Sequence, residues 1–169
     1  MGRVNAILQH QRFNMELERL EKIEMNRAFC GHGIGHLLDV ARIAYILSLE
    51  AREENSKELI YAAALLHDIG RARQYEDGTP HERESARIAA EILPECGFSG
   101  PETALILNAI LAHRTHNGDQ RQGIARYIFR ADKVSRLCFD AADKTARKSF
   151  ECPANDDCDW EMKNSALEY

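Results

Sequence analysis

The sequence predicts an all-α protein, a single-domain helical bundle with a metal site at its centre. Three observations lead there. Apolar residues recur three and four apart in segment after segment, and few runs alternate with period two. Gly, Pro, Ser and Thr punctuate those segments where helices start and stop. Histidines and aspartates stand at the ends or inner faces of the apolar segments, where burial is costly without a partner.

From Val4 to about Arg27 the chain reads as one mostly polar helix with a thin stripe of Leu17, Leu20 and Ile23–Glu24. It is expected to pack across the back of the bundle or meet a partner, with His10 at the surface. Phe29 to Gly35, FCGHGIG, carries three glycines and reads as a loop. His36 starts the next helix, whose stripe is Leu37, Val40, Ala41, Ala44 and Leu47. Glu53 to Ser56 is a polar turn, and Ser56 is a plausible N-cap.

The stretch Tyr61 to Arg71, YAAALLHDIGR, is the centre of the chain. Its apolar run ends in His67 and Asp68, and Gly70 closes it. Arg71 to Gly78 is polar and reads as a loop. Thr79 can cap the following helix, Pro80 suits its first position, and Glu82 completes a capping box, which places His81 in the first turn. That helix is expected to stop before Pro94. Pro101–Glu102 opens another, and Ala104 to His113 is almost wholly apolar, which predicts a buried helix ending at His113. Gln122 to Cys138 is the last strong helix, with Ile124, Ile128, Ala131 and Leu137–Cys138 facing the core and Asp132 beside Ala131. Asp156 to Tyr169 suggests a terminal helix around Trp160 and Leu167. The organisation read from these elements is an N-terminal helix over 1–30, a core over 31–140 and a C-terminal extension over 141–169.

A length of 169 residues suits one domain with a real core, and 44% hydrophobic with 29% charged residues is an ordinary soluble balance. A net charge of −5 offers no basic stripe to replace the counterions of a nucleic acid, so none is expected as partner. No apolar stretch approaches a membrane span. The N-terminus lacks the pattern of a secretory signal, and Ala6 stands where a myristoylation motif wants Ser or Thr. The expected location is the cytoplasm. The five cysteines, Cys30, Cys96, Cys138, Cys152 and Cys158, read as reduced thiols, and Cys152 and Cys158 are too far apart for a CxxC zinc knuckle.

Six polar residues remain at the ends or inner faces of apolar helices: His36, His67, Asp68, His81, His113 and Asp132. Taken singly, a His at a helix end is ordinarily a surface residue or a cap. Four imidazoles and two carboxylates on five helices are instead explained together by a shared metal site. His116 competes with His113, which ends the apolar helix and is preferred. His32 competes with His36 but sits in the glycine loop, so it is read as a residue behind the ligands or on the substrate side.

This order, H…HD…H…H…D in an all-helical chain, resembles the HD-domain superfamily of metal-dependent phosphohydrolases. The segments that carry it are HLLDVARIA, AALLHDIG, HERESARIAAEIL, AILAHRTHNG and RADKVSRL, between about residues 32 and 140. The resemblance implies that His36, His67, Asp68 and Asp132 bind a first metal and that His81 and His113 belong to a second. The segments around His81, His113 and Asp132 look most like the bacterial HD-type hydrolases of diadenosine tetraphosphate, with Arg114 interrupting the motif at His113 and a shorter loop between Asp68 and His81.

The resemblance implies two divalent transition-metal ions, Fe or Mn first, with Co, Ni or Zn as alternatives. It also implies hydrolysis of a nucleotide or related phosphate ester through a metal-bound hydroxide, with Asp68 as the natural bridge. Arg71, after the HDIG turn, is the catalytic cation expected at the pocket mouth. Lys133, Arg114 and His116 are candidates for substrate contact. A small phosphorylated substrate is the expected partner, and a homodimer is left open. Three alternatives stand beside this reading. The same six ligands resemble those of HD-fold di-iron oxygenases. A mononuclear nucleotidase would use His36, His67, Asp68 and Asp132 alone. A non-catalytic sensor would bind a nucleotide at the same site.

Overall fold

The computed structural model describes residues 1–26, 31–114 and 122–135. Among them are eight helices and no strand: α1 (Gly2–Gln9), α2 (Gln11–Glu24), α3 (Ile34–Glu50), α4 (Lys57–Leu66), α5 (Arg71–Asp77), α6 (His81–Glu95), α7 (Gly100–Ala112) and α8 (Ile124–Val134). The fold is the all-helical bundle that the periodicity predicts. The expected terminal helix over Asp156–Tyr169, and Leu137, Cys138, Cys152, Cys158, Cys30 and His116, lie outside the described residues.

Helix α4 is the hub, packing on α1, α3, α6, α7 and α8. Ile60, Ala62, Ala63, Ala64, Leu65 and Leu66 are all fully buried. The three alanines let neighbouring helices come close, while each buried Leu or Ile contributes about 1.5–3 kcal/mol. The stripe of α3 is as its spacing predicts, with Leu37, Val40, Ala41, Ala44 and Leu47 turned inward. Arg3 ties the ends of three helices together by pairing with Glu58 and Glu102 at 2.8 Å each.

The N-terminal region is two helices, not one. The chain turns at His10 (φ −70°, ψ 128°), whose Nδ1 accepts the Arg12 backbone N–H and so caps α2. His10 Nε2 meets Glu95 at 3.1 Å.

The segment Arg71–Gly78, expected to be a loop, is helix α5, and it ends where Gly78 adopts a left-handed φ of 80°. It packs on α2 and α6, which supplies the stability its polar sequence does not advertise.

The start of α6 also differs from expectation. Pro80 is the N-cap, and Thr79 folds back onto the Asp77 carboxylate instead of capping. At the other end α6 continues through Pro94 to Glu95, because a proline in the last turn forfeits only one helical hydrogen bond there. Ser99 and Glu102 form the capping box of α7. That helix is less buried than its composition suggests. Ile106, Ala109 and Ile110 face inward, while Leu105 and Leu111 are exposed.

Candidate metal centre

The central site grows from the end of α4. The helix stops at Leu66, and residues 67–70 turn so that His67 and Asp68 face inward, both fully buried. Gly70 makes the turn fit. A Cβ there would lie 2.4 Å from the Ser85 backbone nitrogen and 2.8 Å from Glu84, so no side chain is tolerated without moving α6. The Gly70 N–H donates to Ser85 Oγ at 2.9 Å, fastening the turn to α6. This close approach lets His81, the first residue of α6, reach Asp68.

Two groups of donor atoms result, and Asp68 belongs to both: His36, His67, Asp68 and Asp132 in one, Asp68, His81 and His113 in the other. Asp68 Oδ2 lies 3.4 Å from His67 Nε2 and 3.8 Å from His36 Nε2. Asp132 Oδ1 is 3.5 Å from His36 Nε2 and 3.8 Å from His67 Nε2. Asp68 Oδ1 lies 3.1 Å from His81 Nε2 and 3.6 Å from His113 Nε2. Four donors around an ion with bonds of about 2.1 Å have edges of about 3.4 Å, and six have edges of about 3.0 Å, so these gaps suit coordination.

Hydrogen bonding sets the imidazole tautomers. His67 Nδ1 donates to the Ala64 carbonyl at 2.7 Å, and His113 Nδ1 to the Ile110 carbonyl at 2.5 Å. His81 Nδ1 donates to Gln74 Oε1 at 2.5 Å. In its neutral form each ring then has its Nε2 lone pair directed at the centre, the arrangement that metal-ligating histidines use. Among the described residues, Ser135 Oγ approaches His36 Nδ1 at 3.5 Å. The buried atoms His36 Nε2, His67 Nε2 and both carboxylate oxygens of Asp68 have no hydrogen-bond partner among the described residues. Leaving such atoms unsatisfied costs about 1–3 kcal/mol each, more when charged. A cation at each cluster removes that cost, so the residues fit divalent ions.

The electrostatics agree. Burial alone would lower the His67 pKa, yet the Asp68 charge, helped by Asp132, lifts it to about 10. Burial would raise Asp68, but Arg71 and His67 hold it well below the usual carboxylate range. Burial pushes His81 down to about 4, against the pull of Asp68. Asp68 therefore stays ionised and attracts positive charge, while His81 keeps its lone pair.

Arg71, in the first turn of α5, is mostly buried, and its Nε lies 3.0 Å from Asp68 Oδ2. That contact is a charge pair without hydrogen-bond alignment. Lys133 is buried, with Nζ 3.6 Å from Asp132 Oδ2 and 5.6 Å from the Phe129 ring centroid. Arg114 is exposed, with Nη1 3.5 Å from His81 Nδ1, a nitrogen already donating to Gln74. It therefore borders the second cluster as a charge. His116 lies outside the described residues.

Sequence reasoning missed Gln74, which sets the His81 tautomer from the segment read as a loop. A signal was available: Arg71, Gln74 and Tyr75 are spaced to share one helical face ahead of Gly78. It also missed Glu24, which grips the buried His32. Glu24 Oε2 accepts the His32 backbone N–H at 2.7 Å, and Oε1 meets Nδ1 at 2.6 Å.

The chain is similar to known proteins in sequence and in fold. The chain is 40% identical to an uncharacterized protein of Clostridium beijerinckii along the full length of both. It is 29% identical to ribonuclease Y 1 of Pediococcus pentosaceus over 70% of this chain, but spans only 21% of that protein. Its fold is similar to the crystal structure of a predicted HD superfamily hydrolase from an uncultured Thermotogales bacterium, with a TM-score of 0.66 and 21% identity, covering 93% of this chain and 83% of that one. The family model of the HD domain matches residues 33–137, from the loop before α3 past the end of α8, and the chain belongs to the HD domain family.

Proposed function

We propose that this chain is a dinuclear metal-dependent phosphohydrolase acting on a nucleotide or a related small phosphate ester. The observation that carries the reading is Asp68, whose two oxygens face two different sets of imidazole nitrogens. One ion would be held by His36, His67, Asp132 and Asp68 Oδ2, the other by His81, His113 and Asp68 Oδ1. The mixed nitrogen and oxygen donors suit Fe or Mn, with Co, Ni or Zn as alternatives. When bound, the ions would supply Lewis acidity toward a phosphoryl oxygen and a lowered pKa for a water nucleophile.

The protein's own groups tune the charge. Two divalent ions bring four positive charges, against which Asp68 and Asp132 set two negative ones. Arg71 adds a further positive charge beside Asp68. The net excess favours a phosphate anion. In our reading the Arg71 guanidinium binds non-bridging phosphate oxygens. Lys133 and Arg114, one near each cluster, and His116 are the substrate-side candidates. The ribonuclease Y relatives are named as RNA-cleaving enzymes, but this chain matches only about a fifth of the first of them. With a net charge of −5, a small phosphorylated substrate in the cytoplasm fits better than a nucleic acid, and a homodimer is compatible with it. Among the described residues, no helix is long and apolar enough to cross a membrane.

The test is metal content per chain by elemental mass spectrometry, on protein purified without added metal or chelator. Phosphate release and oxygen uptake are run side by side on the same sample. About two ions with phosphate release support the reading. Oxygen uptake by an iron-loaded sample without phosphate release would transfer it to the oxygenase. One ion, unaffected by changing His81 or His113, would reduce it to a mononuclear enzyme. Metal without turnover on any substrate would favour a sensor.

A further inference from the structure

We propose that Glu24 and His32 form a positioning pair that orients the water nucleophile at the His36 side of the centre, an inference that rests on the hydrolase reading. His32 is buried, at 5% exposure, in the short segment before α3. Glu24, the last residue of α2, holds it through two bonds to one carboxylate, from the backbone N–H and from the ring Nδ1. The Tyr75 hydroxyl donates to the same carboxylate at 2.7 Å, so α5 helps to set it. A buried imidazole held this firmly on one side has its other nitrogen in a fixed direction.

That direction is the metal centre. With Nδ1 donating to Glu24, Nε2 carries the lone pair, and it lies 3.9 Å from Asp68 Oδ2. The His32 and His36 rings meet edge to face at 5.4 Å, close to the 5.1–5.5 Å spacing of the other imidazole neighbours. Yet His32 belongs to neither donor cluster. Two acceptors 3.9 Å apart cannot bond to each other. A water about 2.8 Å from each can donate one hydrogen to each, which orients its lone pairs. His32 Nε2 takes no hydrogen bond from the described residues and is not among their fully buried unpartnered atoms, which leaves it open to a solvent partner.

The test combines one structure with two variants, Glu24→Gln and His32→Gln. In crystals of the manganese-loaded wild type, ordered solvent is expected within hydrogen-bond distance of both His32 Nε2 and Asp68 Oδ2. Nitrogen-15 NMR should show His32 protonated at Nδ1 in the wild type, with the proton shifted toward Nε2 in Glu24→Gln. With p-nitrophenyl phosphate and adenosine triphosphate as probes, both variants should lose roughly 10- to 100-fold in kcat with KM little changed. Metal content and melting temperature should stay as in wild type. Three results would overturn the pair: a direct bond from His32 Nε2 to the ion, loss of metal in His32→Gln, or a rise in KM alone. If the wild type releases no phosphate from either probe, the hydrolase reading falls by itself. The crystal then judges the pair alone, and a His32 Nε2 without solvent sinks it too.

Discussion

His81 Nε2 and His113 Nε2 lie 3.0 Å apart. The Nδ1 of the first donates to Gln74 and that of the second to the Ile110 carbonyl. Two lone pairs therefore face each other at hydrogen-bond distance with Asp68 Oδ1 alongside. Such a contact is repulsive unless a cation sits among the three atoms. A proton could serve, but burial holds the His81 pKa down to about 4. A divalent ion serves better, because it engages all three donors at once.

From this contact we expect His81→Ala to lower metal content from about two ions per chain to about one, leaving the His36, His67 and Asp132 cluster loaded. Elemental analysis checks it. A chelator should destabilise the wild type more than the variant. An ion held at one hundred times its Kd stabilises by about 2.7 kcal/mol, which in a chain of this size is roughly 5–10 °C in Tm. An equal chelator effect on both proteins would argue against an ion at the second cluster.

Gly70→Ala should be among the most damaging small substitutions in the chain. The added methyl would lie 2.4 Å from the Ser85 backbone nitrogen, and backbone cannot rotate away as a side-chain tip can. Overpacking of this kind costs about 1–3 kcal/mol, and loss of the Gly70 to Ser85 hydrogen bond adds about 1 kcal/mol. Because the shift separates the His67–Asp68 turn from α6, the second ion should be lost before the first. Urea denaturation together with metal titration checks both parts. A variant of wild-type stability would mean that α6 can slide freely on the turn.

Much of this was legible in the sequence, for a physical reason. Helices whose one face is buried write that face at 3.6-residue spacing, so the stripe from Leu37 to Leu47 and the run into His67–Asp68 could be read directly. The six central His and Asp residues stood out because each stands at the end or on the inner face of a helix with an apolar stripe. Features that depend on distant partners were hidden. Helix α5 is short and polar, and its packing on α2 and α6 is not written in its own residues. The break at His10 rests on an imidazole cap, outside the Ser, Thr, Asp and Asn that usually signal one. The exposure of Leu105 and Leu111 could not be read from counting apolar residues in α7. The Glu24–His32 pair joins the end of one helix to a glycine loop, a relationship with no periodicity to reveal it.

Arg71→Ala should lower turnover on a phosphate ester while leaving two ions per chain. Its Nε contacts Asp68 Oδ2 without hydrogen-bond alignment, so the carboxylate does not depend on it for position. Loss of a charge that binds the transferring phosphoryl group costs roughly 3–4 kcal/mol of barrier, or about 100- to 1,000-fold in kcat. Arg71→Lys should recover only part of this, since an ammonium cannot make the forked contact. Loss of metal in Arg71→Ala would instead make it a structural counter-charge for Asp68.

Metal binding should release protons, and the sign follows from His67. Its pKa is raised to about 10 because the pull of Asp68 and Asp132 overcomes the opposing effect of burial. In the metal-free protein it is therefore protonated at neutral pH. A group raised in this way contributes stability that is fully present below its unfolded value of about 6.5 and is lost as the pH climbs through about 10. Metal-free protein should weaken across that window. A metal ion at the same position replaces the proton, so metal affinity should rise with pH by about tenfold per unit for each proton displaced. Calorimetric titration near pH 8, in two buffers of different ionisation enthalpy, counts the protons. About one released with the first ion is expected. Release of none would mean that His67 was already neutral, and that the two carboxylates balance their charge elsewhere in the metal-free protein.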